Sequence, residues 1–244
     1  MIAFDPIQRS EKIEKIVCKD LERKYYRWRP ARFYGGIVTA DAVGCNLLCT
    51  FCWAWSVVTT PEKRGKFYTP PQVADKMLAL ARKTGYRQCR ISGNEPTIGK
   101  AHLLAVLEAF KKSGLSFILE TNGILIGHDP NYASDLAKYK DFIHVRVSLK
   151  GTNRKEFSKL TGALPAAFEL QIQALKNLVA ANVPCHPAVM ISFSPPEAIQ
   201  ALRDRLETIA PSFYDFEEEE LILYGNIRRR LESAGIRWRT AHEP

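Results

Sequence analysis

The chain has no run of apolar residues near the ~20 that a membrane-spanning helix needs, which argues against a helical membrane protein and a membrane partner. Its opening residues, Met1-Ile2-Ala3-Phe4-Asp5-Pro6, lack the basic region and long apolar core of a signal peptide. A cytoplasmic location is therefore expected, where thiols stay reduced. Repeats and low-complexity tracts are absent. So are a Gly-x-Ser-x-Gly elbow, a Walker-type phosphate loop and a zinc-hydrolase motif, which removes the common hydrolase and P-loop readings. The five histidines, His102, His128, His144, His186 and His242, show no spacing that pairs them with one another or with carboxylates. They are expected to be structural or solvated. Cys18, Cys89 and Cys185 are scattered singly, so no second Cys/His pair is present to complete a tetrahedral zinc site.

What is present describes a globular chain of 244 residues, enough for one large core or two small ones. The net charge is +9, and the segment Arg9–Arg32 holds nine Lys/Arg against four Asp/Glu. Such a face meets nucleic acid or an acidic partner, or is simply a solvated helix surface. Residues Ser10 to about Tyr26 fit an amphipathic helix capped by Ser10, with Trp28-Arg29-Pro30 ending it. Residues 35–40 then form a β-type run.

From there β- and α-type segments alternate. A helix follows Thr69-Pro70-Pro71-Gln72 and stops at Gly85, with cap-like chemistry at its start. Strands are expected at Gln88–Ser92, Ser116–Glu120, Phe142–Leu149 and Ala188–Phe193. Helices are expected at Lys100–Lys112, near Tyr132–Tyr139, after the Asn153/Glu156 capping pair, from Leu164-Pro165, and after Ser194-Pro195-Pro196-Glu197. In the tail, Leu221–Tyr224 fits a sixth strand or the start of a helix reaching Ala234, and Ile236–Arg239 fits an edge strand. Five β-then-α units in series imply an α/β fold with a parallel sheet and right-handed crossovers, best counted as a partial (β/α)6 barrel. The expected division is an N-terminal helical extension, 1–34, and a core with a C-terminal helix or strand, 35–244.

The stretch Cys45-Asn46-Leu47-Leu48-Cys49-Thr50-Phe51-Cys52-Trp53 organises the rest. Three thiols spaced x3 then x2 on one loop can converge on a soft metal centre, while a zinc loop or buried free thiols remain alternatives. The loop follows the first strand, at the end of a barrel where active sites are built. Trp53, Trp55, Phe67 and Tyr68 are expected nearby as apolar cover.

Cys-x3-Cys-x2-Cys with an aromatic before its last cysteine resembles the motif of the radical S-adenosylmethionine (radical SAM) superfamily. The resemblance spans roughly residues 35–195. It implies a partial (β/α)6 barrel of radical SAM type, with Cys45, Cys49 and Cys52 holding three irons of a [4Fe–4S] cluster and the fourth iron open to S-adenosylmethionine. It also implies that Gly93-Asn94-Glu95-Pro96 binds the methionine ammonium, with Asn94 where the family has a second glycine. Thr121 and Asn122 would meet the ribose or amino-acid part, Ser148 would contact the cofactor from the fourth strand's end, Lys150 would pair with the methionine carboxylate, and Phe51 would lie against the adenine. No cysteine-rich insert for further clusters is present, so electrons are expected from an external reductant of flavodoxin or ferredoxin type. The expected chemistry is reductive cleavage to a 5′-deoxyadenosyl radical that takes hydrogen from substrate. The stretches Phe157–Gly162 and Ala174–Leu178 are similar to glycyl-radical-enzyme activating enzymes, which favours a protein or peptide substrate. The alternative is a nucleobase in RNA or a small purine- or pterin-like molecule, and a non-catalytic iron–sulfur protein is a third reading.

Overall fold

The structure is a computed structural model and describes residues 3–244. Helix α1 (Pro6–Val17) begins at Asp5, whose carboxylate accepts from the Ile7 amide at 2.8 Å, with Pro6 in the first turn. Ser10 is not the cap; it lies inside the helix, and its hydroxyl donates to the Pro6 carbonyl at 2.8 Å. The helix expected to reach Tyr26 ends at Val17. The chain then turns at Asp20 (φ 52°) into an antiparallel hairpin of β1 (Cys18–Lys19) and β2 (Glu22–Ala31). Aromatic residues and side chains that bury on the sheet won over an apparent helical spacing: Tyr25 is buried in β2, while Leu21 is exposed.

Strand β3 (Ile37–Ala42) pairs antiparallel with β2 and leads into the cysteine loop. After it come α2 (Trp55–Thr59), β4 (Lys66–Tyr68) on the far edge of β2, and α3 (Pro70–Thr84). The expected capping box opens α3: Thr69 and Gln72 exchange side-chain and backbone bonds, and Gly85 closes it at φ 74°. The order continues β5 (Gln88–Ser92), α4 (Lys100–Phe110), β6 (Ser116–Thr121), α5 (Ile124–His128), α6 (Pro130–Leu136), β7 (Ile143–Leu149) and α7 (Arg154–Thr161). It ends with α8 (Phe168–Ala180), β8 (Cys185–Met190), α9 (Pro196–Glu207), β9 (Glu217–Glu219) and α10 (Ile227–Ser233).

Strands β3, β5, β6, β7, β8 and β9 form a parallel run of neighbours, with the hairpin on the β3 side. This is an open six-stranded parallel barrel wall, as the alternating pattern implied. Several boundaries differ. The sixth strand is Glu217–Glu219, whose three consecutive charges hide it from hydropathy; Leu221–Tyr224 makes only an isolated bridge, Ile222 to His242, and Ile236–Arg239 is no strand. Strand β8 starts before Pro187, a residue that disfavours interior strands because it cannot donate. Asn153 caps α7 by accepting from the Glu156 amide at 3.0 Å, but Glu156 does not return the bond. Its carboxylate accepts instead from the Thr152 amide and the Ser194 hydroxyl at 2.7 and 2.6 Å. That contact also removes Ser194 from capping α9, whose N-cap is Pro195.

Alternation along the parallel strands separates two faces. Val38, Ala40, Cys89, Ile91, Phe117, Leu119, Val145 and Val147 belong to the main apolar core, together with residues of α3, α4 and α8. A fully buried side chain of this size contributes roughly 1.5–3 kcal/mol. Apart from Ile118, the intervening residues are polar: Thr39 and Asp41, Arg90 and Ser92, Glu120, then Arg146 and Ser148. That polar face carries the site.

Candidate active site

The cysteine loop is fixed from outside by its own backbone. The Leu48 and Thr50 amides donate to the Thr161 and Leu160 carbonyls at the end of α7, at 3.1 and 2.9 Å. Arginines take the loop's carbonyls: Arg230 donates to Thr50 and Cys52 at 3.0 and 2.5 Å, and Arg9 to Cys45 at 3.2 Å. The three thiols line a cavity of about 180 Å³ shared with Gly93, Asn94, Glu95, Thr121, Asn122, Ser148 and Lys150. Phe51 and Trp53 line it too. The structure thus brings together the three cysteines and the residues nominated for the cofactor, apart from Pro96 of the Gly93–Pro96 turn, which does not line the cavity. Of the aromatic cover, only Trp53 reaches the cavity; Trp55 faces Arg230, Phe67 lies over Lys24, and Tyr68 packs on Trp28.

Within this group the bonds assign distinct tasks. Glu95 is only 1% exposed, and both its carboxylate oxygens are occupied. Oε1 accepts from the Thr97 amide at 3.1 Å, the Thr97 hydroxyl at 2.6 Å and the Thr121 hydroxyl at 2.7 Å; Oε2 accepts from the Asn122 amide at 2.8 Å. The carboxylate therefore ties the end of β5 to the end of β6. Asn94 is the residue left with a free acceptor. Its Nδ2 donates to the Ala42 carbonyl at 2.6 Å, which fixes the amide orientation, and its Oδ1 is buried without a donor. Asn122 donates to Asn46 Oδ1 at 2.7 Å, leaving Asn46 Nδ2 equally buried and unpartnered. Gly123 makes this crossing possible: at φ 79°, a Cβ there would lie 2.8 Å from Val147 Cγ1. Phe51 packs against Phe193, their ring centroids 5.5 Å apart.

Lys150 donates to the Ser148 hydroxyl and lies 3.7 Å from Glu219. Ser148 in turn donates to Glu219 Oε2 at 2.8 Å. Glu219 escaped the sequence reading, as did the ladder beneath it. Arg146 pairs with Glu217 and Glu219, both at 2.8 Å, Arg90 pairs with Glu120 at 2.5 Å, and Arg27 and Arg29 pair with the fully buried Asp41 at 2.5 and 3.0 Å. Burial opposes the charge on Glu219, but Lys150 and Arg146 outweigh it and hold the carboxyl at about 2. Glu217 is also held at about 2, by hydrogen bonds from His186 and Arg146. The histidines were not all solitary: His144 Nε2 lies 2.7 Å from His186 Nδ1 on the next strand, and His186 Nε2 lies 2.9 Å from Glu217. Only strand register brings them together. The signal available in sequence was the repeated polar residue at alternate strand positions.

The basic segment is largely spent inside the fold. Arg23 is buried and donates to the Val43 and Glu95 carbonyls, and Lys24 to those of Pro61 and Glu62. With Arg9 on the cysteine loop and Arg27 and Arg29 on Asp41, five of the nine cations have internal partners.

The donor set can be tested against the cofactors the motif implies. Burial pushes all three loop thiols up, Cys49 to about 12 despite the pull of Lys150, so they are neutral until a metal displaces the proton. Among the described residues, no three His, Cys, Asp or Glu side chains sit close enough to hold one metal ion. Three thiols facing one cavity suit a cluster, in which each thiolate binds a different iron. Asn94 Oδ1 supplies an unsatisfied acceptor for an ammonium. The residues fit.

Comparisons with known proteins agree. A probable GTP 3′,8-cyclase of Methanococcus vannielii is 33% identical over 119 residues, 48% of this chain and 37% of that protein. One from Methanosarcina acetivorans is 28% identical over 176 residues, 71% of this chain and 48% of that protein. The chain thus spans between about a third and a half of these relatives' length. A radical SAM methyltransferase from Sphaerobacter thermophilus shares the fold, with TM-score 0.57 at 12% identity, covering 93% of this chain and 75% of that one. The Radical SAM superfamily profile matches residues 41–209, from the end of β3 to just past α9, and by that match the chain belongs to the radical SAM superfamily, whose members use a [4Fe–4S] cluster and S-adenosylmethionine.

Proposed function

We propose that this protein is a radical SAM enzyme acting on a small purine-nucleotide-like molecule, with Cys45, Cys49 and Cys52 holding the cluster. When bound, cluster and S-adenosylmethionine supply a 5′-deoxyadenosyl radical that takes a hydrogen atom from substrate. The chain's residues bind, orient and exclude water. Asn94 Oδ1 accepts from the methionine ammonium, Glu95 holds the two strand ends beneath it, and Lys150 meets the carboxylate. Thr121 and Asn122 face the ribose side, and Phe51 supplies an apolar face for adenine.

The observation that carries the substrate class is the polar lining of the thiol cavity, where Ser92, Glu120, Arg146, Ser148 and Glu219 stand beside the cofactor residues. Such a lining offers the hydrogen-bond donors and acceptors that fix a polar heteroaromatic ring. The relatives' name, GTP 3′,8-cyclase, points the same way and away from a peptide activase. The cavity of about 180 Å³ is below the ~300–1,000 Å³ of small-molecule sites, and exposed Trp53 at its wall carries the Arg27 guanidinium 5.1 Å from its ring centroid. In the test, reduced protein with S-adenosylmethionine forms 5′-deoxyadenosine faster when purine nucleotides are added. Acceleration by peptides and not by nucleotides would overturn the reading.

A further inference from the structure

A second and larger cavity, about 1,200 Å³, lies on the outer side of the cysteine loop between α7 and α10. Leu48 and Thr50, the two chain neighbours of Cys49, line it. Lys155 and Lys159, one turn apart on α7, and Arg229 on α10 line it as well, and all three are exposed. None of the three enters an ion pair among the described residues. No Asp or Glu lines the groove. Most of the remaining lining is apolar, including Trp55 and Ile236.

We propose that this groove docks an acidic one-electron carrier protein of flavodoxin type and is the electron-entry face of the enzyme. The inference rests on the radical SAM reading above. Two independent observations carry it. The free charges are all of one sign, which complements an acidic carrier and steers its approach. The groove also reaches the backbone on both sides of Cys49, so a carrier seated there is one residue from a cluster ligand. The thiol cavity on the other side of the loop is the one that the proposed function assigns to S-adenosylmethionine and substrate. In the step itself, the flavin hydroquinone of the carrier gives up one electron and one proton and becomes the semiquinone. The electron goes to the iron–sulfur site and the proton to solvent.

The test reverses the three free charges together, Lys155→Glu, Lys159→Glu and Arg229→Glu, leaving Arg230 and its bonds to the loop in place. Iron content is measured first and is expected to match the unaltered protein. Binding of oxidised flavodoxin, followed by flavin fluorescence, is expected to weaken about tenfold or more at low salt, with the difference shrinking as salt shortens the screening length below ~10 Å. Cluster bleaching by flavodoxin hydroquinone should slow by a similar factor, while bleaching by photoreduced deazaflavin, a small non-protein reductant, should not change. Should the reversed variant lose iron, the charge-neutral set Lys155→Gln, Lys159→Gln and Arg229→Gln is measured instead, with an intermediate loss expected. Unchanged flavodoxin affinity and bleaching rate would overturn the proposal. So would an RNA that displaces flavodoxin from the groove and binds it more tightly at the same salt. Deazaflavin-driven cleavage of S-adenosylmethionine reads the cofactor site independently of docking, so failure of the groove and failure of the radical SAM reading give different results.

Discussion

Replacing Glu95 separates a structural carboxylate from one that binds cofactor directly. Four donors converge on it, two backbone amides and two threonine hydroxyls, in a site that is 1% exposed. In Glu95→Gln, the amide oxygen can keep the three donors on Oε1, but the new NH2 then faces the Asn122 amide. One buried donor is left unmet and opposed, at a cost of about 1–3 kcal/mol. For a chain of this length that lowers the melting temperature by roughly 2–12 °C. Glu95→Ala strands both amides, Thr97 and Asn122, while the hydroxyls can rotate away. The expected loss is about 2–6 kcal/mol, a large part of the ~5–15 kcal/mol that holds a typical domain together. The assay is anaerobic calorimetry on cluster-free protein, which excludes any effect of cofactor. If Glu95→Gln melts within a degree of the unaltered chain and only S-adenosylmethionine affinity falls, the carboxylate works on the cofactor and the assignment of that task to Asn94 is wrong.

Two further outcomes follow from the same geometry. Glu219 has its pKa depressed from the usual 4.5 to about 2 in the folded chain. Its contribution is therefore present above pH 4.5 and is lost as pH falls toward 2. Acid unfolding of the unaltered protein should show this dependence, and Glu219→Gln should flatten it; an unchanged acid limb in the variant would contradict the Lys150–Glu219–Arg146 arrangement. Replacing Cys45, Cys49 and Cys52 together by Ala should abolish bound iron and sulfide after anaerobic reconstitution, whereas replacing Cys18, Cys89 or Cys185 should not. Stoichiometric zinc without inorganic sulfide in the unaltered protein would refute the cluster.

What the sequence made legible was local. The cysteine spacing, the Thr69 capping box and the strand-end turns at Gly93 and Thr121 are set by near neighbours, and their chemistry survives without a fold. The hairpin was misread because Leu21 and Tyr25 match a helical period by accident, and only packing shows that Arg23 and Lys24 donate to buried carbonyls. Strand β9 was hidden because its side chains are three glutamates, which no hydropathy pattern marks as a strand; they pair with Arg146 and Arg203 from elsewhere in the chain, and His186 hydrogen-bonds to Glu217. Likewise His144 and His186 stand 42 residues apart and meet only through the β7–β8 register. Asn94 and Glu95 were legible as a strand-end turn, but which of them keeps an unpartnered oxygen depends on Ala42 and on Thr121 and Asn122, on the strands to either side of β5.

The account's central claim, a radical SAM enzyme taking hydrogen from a purine-type molecule, is tested most directly by isotope transfer. Reduced protein is incubated with S-adenosylmethionine and perdeuterated GTP, and separately with deuterated peptides and unlabelled nucleotide, and the released 5′-deoxyadenosine is weighed by mass spectrometry. One deuterium from the nucleotide and none from any peptide is the predicted result. Deuterium arriving from a peptide while the nucleotide leaves 5′-deoxyadenosine unlabelled would contradict it.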